Sequence, residues 1–184
     1  MSSPTSLIFD HQDTPEEYEK IVVAVTEAVP WITDLSLGDV GLGDDGVNVL
    51  FGILASSTTL LTLNLYFNQI TPIGFRKIAD QLSCPLDDLG EPFGEPPKPP
   101  LRALSMAWND LSDAAVRDIL RLIKSNHYLR ELSLAHTLLT NTAAVQIRDV
   151  CKQGYSCLTS LNLKGNEVNH EIIAQIDYAL KKPT

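Results

Sequence analysis

Two apolar rhythms alternate along most of this chain. Short runs place an apolar residue at every second position: "LSL" at 35–37, "LNL" at 63–65, "LSM" at 104–106, "LSL" at 132–134 and "LNL" at 161–163. Period two turns both apolar side chains to one face of a strand and the residue between them to the other. Each run is followed by apolar residues at steps of about four, such as Gly46, Leu50 and Leu54, which form one stripe of a helix. The pattern predicts a strand, a turn and a returning helix, five times over.

Aligned on Ile32, Leu60, Leu101, Leu129 and Leu158, the copies agree column by column. The fourth position reads Leu35, Leu63, Leu104, Leu132 and Leu161, and the sixth reads Leu37, Leu65, Met106, Leu134 and Leu163. The ninth holds Val40, Asn68, Asn109, Thr137 and Asn166, and the eleventh Leu42, Ile70, Leu111, Leu139 and Val168. The nineteenth is Leu50, Ile78, Ile119, Ile147 and Ile176. No copy can cover its own apolar face, so successive copies must stack and share one core.

The pattern L-x-x-L-x-L-x-x-N-x-L-x-x-x-G resembles the leucine-rich repeat, in the long helical variety of ribonuclease inhibitor, Ran GTPase-activating protein and the sensor ends of innate immune receptors. The resemblance implies an α/β fold: a short right-handed β-α horseshoe with a concave parallel sheet and convex helices. It also implies that the ninth-position asparagine bonds loop backbone groups between rungs. Val40 and Thr137 depart from that column, so their own turns are expected to be less tightly fixed. At the twelfth position Thr71, Ser112, Thr140 and Asn169 are expected to cap the helices, with Pro72 at a first helical residue.

One stretch, "GLGDDG", spells G-x-G-x-x-G after a strand and before a helix. A dinucleotide turn would want an acid near the end of the next strand, and "LLTLNLYFN" has none. Asp44 and Asp45 would repel a pyrophosphate while suiting an empty helix N-terminus. Gly41, Gly43 and Gly46 therefore read as a repeat turn, and no cofactor is expected.

Residues 1–30 read as an N-terminal capping segment. Thr14 and Glu17 suit a capping box, Pro15 a first helical turn, and Tyr18, Ile21, Val22, Val25 and Val29 an apolar stripe. Leu7 and Phe9 lie about one repeat before Leu35 and Leu37, so residues 6–29 look like a worn zeroth repeat covering the end of the stack. A partner-binding amphipathic helix is the other reading of the same segment. Residues 31–184 hold the five repeats, starting near 32, 60, 101, 129 and 158, with a Pro-rich insertion at 83–100. There Pro96 with Pro99, and Pro97 with Pro100, satisfy P-x-x-P and would suit an SH3-type groove, while a tolerated surface insertion at a helix-to-strand turn is the favoured reading.

In this architecture the third, fifth, seventh and eighth positions face a partner. Most are small and polar. One edge differs: Tyr66, Phe67, Trp108 and His136 fall on adjacent rungs, as an exposed hot spot would, or as aromatics packed on one another or beneath the insertion. Asp34, Glu131 and Asn64 complete the candidate binding set.

Charge and composition narrow the rest. The net charge of −9 is lopsided, with 4 basic and 15 acidic residues in 1–100 against 10 and 8 in 101–184. No basic stripe suggests nucleic acid, and the apolar runs fall far short of the roughly 20 residues of a membrane span. The three cysteines lack metal-ligand spacing and read as free thiols of a reducing compartment, hence a cytoplasmic or nuclear protein. The four histidines lack catalytic spacings, and no base is placed to activate Ser105 or Ser133. The expected function is a non-catalytic protein-binding module or scaffold. The resemblance also allows an activator of a small GTPase, although this chain has fewer repeats and ends "KKPT", or a nuclease inhibitor.

Overall fold

The computed structural model describes residues 5–11, 15–85, 99–154 and 156–181. Strand and helix alternate: β1 (Thr5–Ile8), α1 (Pro15–Ala28), β2 (Ile32–Ser36), α2 (Gly43–Leu54), β3 (Thr62–Asn64), α3 (Pro72–Leu82), β4 (Ala103–Ser105), α4 (Val116–Ser125), β5 (Glu131–Ser133), α5 (Asn141–Lys152), β6 (Ser160–Asn162) and α6 (His170–Leu180). The strands form one parallel sheet in chain order. Each helix is thus a crossover between neighbouring strands, as parallel pairing requires.

The register stacks the fourth-position leucines across the sheet: Leu7 opposite Leu35, then Leu63, Leu104, Leu132 and Leu161. With the sixth and nineteenth columns, and the eleventh except Val168, they make one buried core under the helices, joined by Phe51 and Phe75. In α1, Ile21, Val25 and Ala28 are buried in the same core, as is Val29 just after it. The proposed Thr14–Glu17 capping box lies outside the described side chains.

The turns after the strands carry the ninth-position amides. Asn68 Oδ1 accepts the Val40 and Leu42 N–H groups at 3.1 Å each, while its Nδ2 donates to the Leu37 carbonyl at 2.6 Å. Asn109 does the same for Asn68 and Ile70, and Asn166 for Thr137 and Leu139. Each asparagine therefore holds the turn of the preceding rung. The turns of Val40 and Thr137 are held normally, contrary to expectation, and for Thr137 the slack falls one rung earlier. Thr137 spends its hydroxyl on the Leu134 carbonyl at 2.7 Å. Deprived of an amide, the turn before it goes its own way. The Leu111 N–H falls back on the Asn109 carbonyl, Ser112 takes φ 47°, and Asp113–Ala115 form a turn of 3-10 helix before α4.

Thr71, Ser112 and Thr140 accept capping bonds from N–H groups two residues on. Asn169 makes no capping bond; its N–H donates instead to Asn141 Oδ1 at 2.8 Å. That bond belongs to a lateral series the sequence did not show. The thirteenth-position Asp44 accepts both the N–H and hydroxyl of Thr71, and Asp113 accepts both from Thr140. The carboxylate at one helix start therefore fixes the cap of the next. In the first repeat Gly41 (φ 64°) and Gly43 (φ 57°) take left-handed turn positions, and Gly46 packs so closely on Leu42 that a Cβ would lie 2.7 Å from it. The three glycines serve turn and packing.

Candidate partner-binding face

On the inner face, Asp34, Thr62, Ala103, Glu131 and Ser160 stand side by side, as do Ser36, Asn64, Ser105, Ser133 and Asn162. All but Asp34 and Ser36 line a shallow groove of about 280 Å³ from Thr62 to Asn162. Its polar groups are partly spoken for. Asn64 donates to Ser36 Oγ at 3.0 Å, and Ser36 donates to Asp10 at 2.7 Å. Asp10 also accepts the Gly38 N–H, so this corner of the face is tied to β1.

At the strand ends the backbone bonds run on into the turns: the N–H of each eighth-position residue donates to the seventh-position carbonyl of the next rung, from His11 to His136. The eighth-position residues share a left-handed backbone: His11 (φ 64°), Asp39 (54°), Phe67 (53°), Trp108 (60°), His136 (53°) and Gly165 (72°). Only glycine takes this conformation without steric cost. Yet here it holds two large aromatics that remain half exposed, Phe67 at 51% and Trp108 at 53%.

Glycines on neighbouring rungs make room for the other rings. Trp108 stacks on His136 with centroids 3.8 Å apart and planes 9° off parallel. The His136 ring in turn covers Gly165, where a Cβ would meet it at 2.1 Å. Tyr66 lies over Gly38, where a Cβ would meet the ring at 1.8 Å. The Tyr66 hydroxyl is 3.2 Å from His11 Nε2, and His11 Nδ1 is 2.9 Å from Asp39. Desolvation first, then the charges of Asp10 and Asp39, raise the Tyr66 phenol above its ordinary pKa.

Of the seven candidate residues, Tyr66, Phe67, Trp108 and His136 fall on three adjacent turns, and Asn64 lies beside them on the floor. Asp34 and Glu131 sit five residues upstream of the eighth column, about 16 Å along the strands, so they do not flank the aromatic edge. Asp34 accepts a bond from its neighbour Thr33 at 2.7 Å. His11, Asp10 and Asp39 join this edge although none is among the seven candidates. Extending the repeat register back from Leu35 and Leu37 to Leu7 and Phe9 puts Asp10 in the seventh column and His11 in the eighth, and that was the available signal. Pro96 and Pro97 lie outside the described residues, while Pro99 is buried and its carbonyl accepts the Leu101 N–H. Among the described residues there is no cluster of metal-ligating side chains, and no helix is long and apolar enough to cross a membrane.

A parallel sheet in chain order, leucine columns between rungs and an asparagine ladder in the turns define a leucine-rich-repeat solenoid. A sequence profile described as Leucine Rich repeat matches residues 56–79 and 98–120. The human NACHT, LRR and PYD domains-containing protein 13 is 29% identical over 154 residues, covering 83% of this chain and 13% of its own length. Leucine-rich repeat-containing protein 73 of Rattus norvegicus is 28% identical over 151 residues, covering 80% of this chain and 44% of its own, with the same values for the human protein. The chain thus spans less than half the length of these curated relatives. The solved structure of leiomodin-1 actin-binding site 2 superposes with a TM-score of 0.63, covering 91% of each chain at 13% identity, a likeness of fold. Together these findings support a leucine-rich-repeat protein and, in general terms, a protein-interaction module.

Proposed function

We propose that this chain is a non-catalytic, cytoplasmic module of the long, ribonuclease-inhibitor-like repeat kind. It binds a protein partner through the concave sheet and the aromatic edge, with β1 and α1 capping residues 31–184. The observation that carries the reading is the eighth column. Phe67 and Trp108 keep half their surface in water while occupying a backbone conformation that Gly165 fills without cost three and two rungs away. Backbone strain held at an exposed aromatic is typical of a working surface, and tryptophan and tyrosine dominate the energetics of protein interfaces.

The test is a pair of baits, wild type and a Tyr66→Ala, Trp108→Ala double mutant, both checked by circular dichroism and used for capture from native extract. A protein held by the wild type and released by the folded mutant places binding on the edge. Equal capture by both baits removes the edge from the reading. Actin, named in the leiomodin fragment, is a sensible purified ligand to include, because the shared fold makes it a cheap control.

A further inference from the structure

On the convex side, away from the sheet, α3 and α4 enclose a pocket of about 260 Å³ lined by Arg76, Asp80, Arg117, Asp118 and Arg121. Three guanidinium groups face two carboxylates, a local excess of positive charge in a chain whose net charge is −9. Asp118 is the anchor. Its side chain is 9% exposed, and its two oxygens take Arg76 Nε at 3.3 Å and Arg121 Nη2 at 3.0 Å. Asp80 takes Arg121 Nη1 at 2.5 Å. These pairs fix the planes of two guanidinium groups without using up their donors.

The remaining donors are conspicuous. Arg121 Nε is itself buried, on a side chain 33% exposed, and has no hydrogen-bond partner among the described residues. Arg117 is exposed at the pocket and has no ion pair or hydrogen bond among the described residues. Arginine forks, held in plane by carboxylates behind them, match the oxygens of a tetrahedral anion in geometry.

We propose that this pocket binds a phosphate group, either free or as a monoester on a side chain of a partner. Arg117 and the 65% exposed Arg76 supply the donors, and Asp118 positions Arg76 and Arg121. The overall negative charge disfavours a broad anionic surface such as a membrane, which rewards extended basic patches. A discrete group of about two negative charges suits a discrete cluster.

The experiment follows the arginine Nε–Hε signals of the full chain by NMR. Inorganic phosphate and a phosphoserine peptide are titrated separately, with sodium chloride at matched ionic strength as the control. The Arg121 signal is expected to shift saturably with phosphate and not with chloride. Arg117→Gln, with an unchanged circular dichroism spectrum, is expected to weaken binding about tenfold, as loss of one charge-assisted fork would. A peptide that binds at least tenfold more tightly than inorganic phosphate identifies a monoester as the ligand, and equal binding identifies free phosphate. Identical shifts with chloride, or an Arg117→Gln variant that binds like the wild type, overturn the proposal. So does capture by phosphatidylserine vesicles without any response to soluble phosphate.

Discussion

At the scale of single residues, the eighth column sets apart what a side chain contributes to the fold from what it costs. Holding Phe67 at φ 53° costs about 1–2 kcal/mol relative to glycine, while its half-exposed ring recovers little by burial. Phe67→Gly is therefore expected to preserve or raise stability by up to about 1 kcal/mol after the extra chain entropy of glycine is deducted. Urea unfolding checks this, and partner capture by the same variant should fall. Gly38→Ala runs the other way. Its new Cβ would lie inside the Tyr66 ring, so the ring must leave the turn and break its bond to His11. A loss of about 1–3 kcal/mol is expected for such overpacking, together with a change in Tyr66 fluorescence or ring NMR signals.

At the scale of the repeat, the turn after β4 is the odd one, and its cause is a single missing amide. Placing Asn at Thr137 would offer the Asn109 and Leu111 N–H groups the acceptor that Asn68, Asn109 and Asn166 give elsewhere. Thr137→Asn is expected to gain about 1 kcal/mol and to protect those two amides from hydrogen exchange. The strands and helices were legible because periods two and 3.6 report directly which face a residue buries. The aromatic edge was legible because the same register aligns one column across rungs. The Asp44–Thr71 and Asp113–Thr140 clamps were not, since they join residues 27 apart whose pairing exists only once the repeats stack. The direction of the asparagine bonds, toward the preceding rung, was hidden for the same reason. Asn169 looked like a cap by residue type alone, but its backbone N–H was the group that found a partner.

For the molecule as a whole, the core is one shared column, so a charge in it has no local remedy. Leu63 is fully buried at the centre of the sheet, and Leu63→Asp is expected to abolish the cooperative unfolding transition in calorimetry, because an unpaired carboxylate there has no compensating partner. A gentler probe is Cys151, whose thiol burial pushes from 9.0 to about 11. The folded state holds this proton more tightly than the unfolded one. Its stabilising effect is complete below pH 9 and disappears as pH rises through 11. About 2–3 kcal/mol should be lost across that window, and Cys151→Val should flatten the decline.

The six-stranded sheet also sets a footprint. At about 4.8 Å between strands and about 3.3 Å per residue, the inner face from third to eighth position measures about 24 by 16 Å. That is about 400 Å², half of the roughly 800 Å² per partner typical of a lasting complex. A guest confined to the hollow would come and go quickly, with a short residence time. Long tenure requires one that folds over the aromatic rim and grips the turns.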